Sequence, residues 1–199
     1  MITIVDYAIN NLRSVEKAFL HLNIPVEATN DPARIRKAGK LVLPGVGAFA
    51  DAMANLEQKG LKEILTEKVR AGTPLLGLCL GLQLLFTESE EFGRHAGLDF
   101  LPGKVLRLPD SVQVPHIGWN QLHLKKADPL LEGIQDGSFV YFVHSYFAIP
   151  TDPADILATT DYGLDFSAIT RRGNVWATQF HPEKSQDVGL RILQNFAQL

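Results

Sequence analysis

The chain has 199 residues, 46% of them hydrophobic and 21% charged, with a formal net charge of −3 and one cysteine. Those values suit one packed α/β domain, with or without a small appendage, and exclude a disordered chain. They leave no basic footprint for nucleic acid or an anionic membrane and no internal disulfide, and the lone thiol fits a reducing cytoplasm.

Met1 to Val5 is apolar, has no basic residue before it and meets Asp6 at once, so it reads as a first strand rather than a signal peptide. Asn11 is placed to cap a helix in which Leu12, Val15, Ala18, Phe19 and Leu22 recur at helical spacing. Pro25–Ala28 reads as a second strand, Asp31-Pro32 as the opening of a turn or brief helix, and Leu41–Leu43 as a third strand. An amphipathic helical pattern runs from Asp51 to Arg70 with a break near Gly60. Pro74–Leu78 then suits a buried strand, and Leu80–Phe86, interrupted only by Gly81 and Gln83, an interior helix. This apolar stretch is too short and too broken by glycine to span a bilayer.

After Glu88 the texture changes to short strand-like pieces: Lys104–Leu108, Val112–Val114, Gln121–Leu124, Phe139–Val143, Ile156–Thr160, Phe166–Thr170 and Val175–Phe180. Arg171-Arg-Gly-Asn174 has the look of a hairpin turn, and Gln186–Ala197 of a closing helix. No linker separates the halves, so residues 1–199 are expected to form a single domain. The pattern predicts an α/β fold: a mostly parallel central sheet flanked by helices, with an antiparallel extension in the C-terminal half.

The chemistry concentrates at Cys79, which stands between Gly77 and Gly81 at a strand-to-helix junction. Glycines on both sides clear the space for a sharp turn that presents a nucleophile. A lone cysteine is more often a small core hydrophobe, so the sulfur needs a base before it counts as reactive. His181-Pro-Glu183 supplies one at the end of another core strand. The histidine can take the thiol proton, and the glutamate can fix its tautomer. Pro44-Gly-Val-Gly47, with the N–H of Leu80, can offer backbone donors to an oxyanion.

Gly45-Val-Gly-Ala-Phe-Ala50 also satisfies a dinucleotide fingerprint, with Glu63 or Glu67 as ribose acid, but it does not follow the first strand and Pro44 interrupts the junction. No histidine pair has metal-ligand spacing, so neither a metal nor a cofactor is expected. His116 and His123 read as ordinary surface or hydrogen-bonded histidines. His144-Ser-Tyr146 suits either a sheet edge or a pocket lining, and Trp119, in an apparent loop Pro115–Asn120, either a packed or a partner-facing aromatic.

Gly77-Leu-Cys-Leu-Gly-Leu-Gln83 together with His181-Pro-Glu183 resembles the class I (triad) glutamine amidotransferases. Pro44-Gly-Val-Gly47, Pro115-His-Ile-Gly-Trp-Asn120, Tyr141-Phe-Val-His-Ser-Tyr146 and Gln179-Phe-His-Pro-Glu-Lys-Ser185 narrow the likeness to the glutaminase subunits of imidazole glycerol phosphate synthases, over nearly the whole chain. That resemblance implies a cytoplasmic enzyme in which Cys79 attacks glutamine, His181 acts as base and acid, and Glu183 orients it. Val46 or Gly47 would share the oxyanion with Leu80, and Gln83, His144, Ser145 and Tyr146 would hold glutamine. The implied partner, in a heterodimer, is a (β/α)₈-barrel cyclase subunit met through Asn11, Trp119, Asn120, Tyr141 and Lys184. The chain departs from the family in its first loop, where Ala8 and Asn10 stand in place of glycines. Asn tolerates a left-handed backbone better than most residues, whereas Ala does so only at a cost. Three other readings are open at this point: a silent subunit of the same fold, a glutaminase for another synthase, and a nucleotide-binding oxidoreductase.

Overall fold

The computed structural model describes residues 1–8 and 11–199. β1 (Ile2–Val5) leads into α1 (Leu12–His21), which buries Val15, Ala18 and Phe19. β2 (Val26–Thr29), α2 (Pro32–Lys37) and β3 (Leu41–Leu43) follow. Asp31 opens α2 by accepting the Ala33 N–H, with Pro32 just inside the helix where its missing donor is not needed. The long amphipathic stretch divides at Gly60, whose φ of +62° suits glycine, into α3 (Phe49–Gln58) and α4 (Leu61–Arg70).

β4 (Leu75–Leu78) and α5 (Leu80–Leu84) come next. The helix is shorter than the apolar run suggests, because Phe86 already begins β5 (Phe86–Ser89). A run that is buried on every side carries no period to tell helix from strand. β6 (His95–Ala96), β7 (Leu101–Arg107), β8 (His116–Gln121), β9 (His123–Leu124), β10 (Phe139–His144) and β11 (Tyr146–Pro150) make up the middle of the chain. Two expectations fail here. Val112–Val114 forms no strand, and most of Pro115–Asn120 is strand rather than loop. The reason is long-range: β8 exists because β10 pairs with it antiparallel, Trp119 opposite Tyr141. β12 (Ile156–Asp161), β13 (Asp165–Arg172), β14 (Val175–Thr178) and α6 (Gln186–Gln198) complete the chain. Arg172 pairs with Val175 across Gly173 (φ +57°), the expected hairpin turn.

The main sheet has eight strands in the order β2-β1-β3-β4-β14-β13-β12-β9. It is parallel from β2 to β14 and antiparallel beyond, as the sequence pattern predicts. A four-stranded sheet, β11-β7-β5-β6, and the ribbon β10-β8 lie beside it. Ile4, Val42, Leu76 and Trp176 pack with Phe19, Ile192 and Phe196 of α1 and α6. Val5, Leu43 and Leu75 pack with Ile35, Phe49, Leu56 and Ile64 of α2–α4. Burial on both faces is why β1, β3 and β4 read as unbroken apolar runs. Among the described residues no helix is long and apolar enough to cross a membrane.

This topology sets the site. β4 and β14 are parallel neighbours with Leu78 opposite Thr178. Cys79 and His181 therefore leave the sheet at the same edge, outside the carboxyl ends of the strands, where open α/β sheets bind ligands. The first loop also ends there. Ala8 adopts the costly left-handed conformation (φ +67°), as does Asn11 (φ +76°), whereas Asn10 lies outside the described residues. Asn11 does not cap α1 with its side chain.

Candidate active site

Cys79 sits at φ +55° and ψ −107°, a conformation that costs about 1–3 kcal/mol for a residue with a Cβ. Packing enforces it. A Cβ on Gly81 would stand 1.8 Å from the Leu43 carbonyl oxygen, and one on Gly77 2.9 Å from the Gly81 carbonyl, so neither position admits another residue. The Cys79 N–H donates to the Thr178 carbonyl at 2.8 Å, which ties the elbow to β14. Because α5 has only five residues, its dipole is small and the side chains around the sulfur dominate its electrostatics.

Three residues beyond β14, His181 opens a 3₁₀ turn, Pro182–Lys184. Its Nδ1 lies 2.8 Å from Glu183 Oε1, and Asn11 Nδ2 donates to that same oxygen at 2.7 Å. The bond to a carboxylate places the proton on Nδ1 and leaves Nε2 for chemistry. Both side chains are buried, His181 at 2% exposure and Glu183 at 0%. Burial disfavours charge on either group. Even so, Cys79 and Glu183 outweigh burial and push His181 up to about 10, while the His181 and Asn11 contacts hold Glu183 below the usual carboxylate range. Nε2 of His181 makes no hydrogen bond among the described residues, so Cys79 acts on it as a neighbour in the same cavity rather than as a bonded partner.

That cavity, of about 350 Å³, is lined by Cys79, His181, Val46, Gly47, Leu80, Gln83, His144, Ser145 and Tyr146. All the residues expected to bind glutamine or its oxyanion thus meet the sulfur in one place. The Leu80 N–H, however, donates to the Gly45 carbonyl at 3.3 Å, so an oxyanion must displace that oxygen. A larger open groove of about 730 Å³ along Leu124–Ile134 holds neither cysteine nor histidine.

Sequence reasoning missed two groups. Glu91 is the one carboxylate lining this cavity among the described residues, held by the Phe49 N–H at 2.6 Å. Nothing in its polar surroundings announces it. Gln179, fully buried, brings Nε2 to 3.9 Å from the Cys79 sulfur; its place two residues before His181 was the available signal. Of the two alternatives for His116, hydrogen-bonded rather than surface holds: it is buried, stacked on Tyr162 with ring centroids 3.8 Å apart, and bonded through Nδ1 to His144 Nε2 at 3.0 Å. Burial lowers His116 to about 4 and, against the bond to the Tyr146 carbonyl, His144 to about 3.

The expected partner-facing residues divide. Trp119 (46% exposed) meets Tyr141 edge-on at 5.9 Å and lies beside exposed Ile117 and Phe139 on the outer face of the β8–β10 ribbon. Lys184 is exposed nearby, one residue past Glu183. Asn120 takes the opposite face, its amide turned inward onto the Asp161 carbonyl at 2.8 Å. Asn11 is engaged with Glu183.

A family model described as glutamine amidotransferase class-I matches residues 3–199, and the chain belongs to that family. More narrowly, it is similar to proteins named imidazole glycerol phosphate synthase subunit HisH. The one from Syntrophotalea carbinolica is 52% identical across 100% of both chains. That from Moorella thermoacetica is 54% identical across 100% of this chain and 94% of its own. A solved glutamine amidotransferase, 22% identical and covering 100% of both chains, superposes with a TM-score of 0.79, which speaks for the fold.

Proposed function

We propose that this chain is the glutaminase subunit of an imidazole glycerol phosphate synthase, a single glutamine amidotransferase domain of the cytoplasm. It hydrolyses glutamine to glutamate and ammonia for a cyclase partner in histidine biosynthesis. The observation that carries the reading is a strained cysteine sharing one cavity with a histidine that is locked to a buried carboxylate at 2.8 Å.

Cys79, as thiolate, attacks the side-chain amide carbon of glutamine, and the carbonyl oxygen becomes an oxyanion. The N–H of Leu80 and one from Val46 or Gly47 receive that charge once the Gly45 carbonyl has moved aside. Collapse breaks the C–N bond. The departing nitrogen takes the proton from Nε2 of His181 and leaves as ammonia. His181, now neutral, draws a proton from water, which attacks the thioester and releases glutamate and the thiolate. Glu183 keeps the proton on Nδ1 throughout, so Nε2 alone exchanges it. Gln83 and the segment His144–Tyr146 position the substrate, and the charge on Glu91 suits its α-ammonium group.

The partner is a (β/α)₈-barrel cyclase seated on the outer ribbon face. Support comes from the exposed Ile117, Trp119 and Phe139 beside Tyr141, an apolar patch flanked by Lys184 at the mouth of the turn that carries His181. The deciding experiment measures ammonia release from glutamine with and without such a cyclase. In the complex, Cys79→Ser should abolish glutamine-dependent synthesis and leave synthesis from added ammonium salt. Loss of both in an intact complex would assign this chain a share in the cyclase chemistry and overturn the division of labour.

A further inference from the structure

The polar groups behind the cavity, buried except at the Asn120 end, form one chain of hydrogen bonds whose direction can be read from end to end. Asn120 Nδ2 donates to the Asp161 carbonyl at 2.8 Å and approaches His116 Nε2 at 3.4 Å. With its Nε2 accepting, His116 must carry its proton on Nδ1 and donate to His144 Nε2 at 3.0 Å. His144 must then hold its proton on Nδ1, where it meets the Tyr146 carbonyl at 2.9 Å. That carbonyl also accepts Gln83 Nε2 at 2.9 Å, which fills both of its lone pairs. The second proton of Gln83 Nε2 goes to Gln179 Oε1 at 3.2 Å. With its oxygen committed, Gln179 can turn only its nitrogen toward the Cys79 sulfur, at 3.9 Å. The sulfur also meets the Val143 carbonyl at 3.9 Å, a contact that suits a thiol and opposes a thiolate.

We propose that Gln179 is a catalytic residue of the glutaminase reaction: its side-chain amide is the donor received by the Cys79 sulfur as it becomes the attacking thiolate, and the chain from Asn120 through Gln83 holds that amide in place. The proposal rests on the glutaminase reading. No proton leaves Gln179. It stabilises charge on the sulfur before attack and again when the thioester is hydrolysed. The contact is long for a resting thiol and shortens as charge develops, as catalytic hydrogen bonds do. An amide in a fully buried position, aimed at the nucleophile by partners that admit one orientation only, is preorganised for that task.

The test uses Cys79 as the chain's sole thiol. Iodoacetamide alkylation is followed against pH in wild type, Gln179→Met and Gln179→Asn, each first checked for a cooperative melt. Met matches the volume without a donor, and Asn keeps an amide too short to reach. Neither substitution changes charge, so His181, His144 and Glu91 in the cavity and Tyr7 behind it contribute equally to every titration. The midpoint of alkylation should rise by about one pH unit, the worth of one hydrogen bond to a charged group. With the cyclase present, kcat should fall about tenfold while KM for glutamine changes less than about twofold. An unmoved midpoint in either folded variant overturns the proposal. If wild type itself releases no ammonia with the cyclase, the glutaminase reading falls instead, and the alkylation comparison still decides whether Gln179 serves the sulfur.

Discussion

Glu183→Gln separates the orienting role of this carboxylate from its charge. Oε1 accepts from both His181 and Asn11, whereas Oε2 is buried without a partner among the described residues. A glutamine therefore keeps its oxygen toward the two donors and places its amide nitrogen where no acceptor waits. The orphaned donor should cost about 1–3 kcal/mol of stability. The larger effect is on His181, which loses the charge-assisted bond that favours imidazolium, itself worth about 1.5–3 kcal/mol. Its titration, followed by NMR of the ring protons, should fall from about 10 toward the ordinary 6.5. Partner-stimulated ammonia release should drop roughly ten- to a hundredfold, because the remaining Asn11 bond and the packing still aim the ring. Turnover within about twofold of wild type and an unmoved His181 titration would refute the claim that Glu183 works through charge.

Cys79→Ala should reduce glutamine hydrolysis to background while the melting behaviour changes little, since only a sulfur is lost from a turn; near-normal hydrolysis by the folded variant would rule out a covalent route. Trp119→Ala should lower partner-stimulated activity about tenfold yet alter the stability of the free chain by less than about 1 kcal/mol, because the ring is half exposed. Between pH 6.5 and 4.5 the stability should fall as pH falls. His116 and His144 have folded values depressed to about 4 and about 3, so the unfolded chain takes up protons there that the native chain refuses. The raised His181 contributes in full below 6.5 and the lowered Glu183 in full above 4.5, so neither changes within that window. Urea titrations should show a loss of up to about 1.4 kcal/mol per pH unit per histidine, and a flat profile would contradict the buried neutral pair.

The parallel half of the fold was legible because its strands are buried on both faces and its helices are amphipathic, so each element announces itself locally. The Cys79 elbow and the His181-Pro-Glu183 turn were legible for a related reason: the glycines and the proline are demanded by backbone geometry, and such demands survive in sequence. The middle of the chain was not. β8 owes its existence to β10, and β5 to β7, pairings that leave no local trace. For the same reason the sequence could not choose between a surface and a hydrogen-bonded His116: the groups that bury and bond it, Phe142, Tyr162 and His144, come from other parts of the chain. Asn11 looked like a helix cap because asparagine so often is one; its amide is drawn away by a carboxylate 172 residues distant in sequence.

Cys79 and His181, the proposed nucleophile and base, are braced by different parts of the molecule. Cys79 hangs on the main sheet, its N–H bonded to β14 and its flanking glycines wedged against β3 and α5. The turn that carries His181 is instead stitched to the ribbon. The His181 N–H donates to the Tyr141 carbonyl at 3.0 Å, the Tyr141 N–H donates to Ser185 Oγ at 2.9 Å, and Ser185 Oγ donates to the His181 carbonyl at 2.7 Å. Tyr141 is the residue opposite Trp119, so the strand that presents the apolar outer face also holds the backbone of His181. Asn11, left-handed in its own backbone on the same edge, bonds Glu183 from the other side. The ribbon face that carries Trp119 is thus joined to His181 through Tyr141 and Ser185, whereas Cys79 is joined to the core of the main sheet. In this arrangement Cys79 is tied to the main sheet and His181 to the ribbon that carries the apolar patch, so the two side chains answer to different parts of the fold.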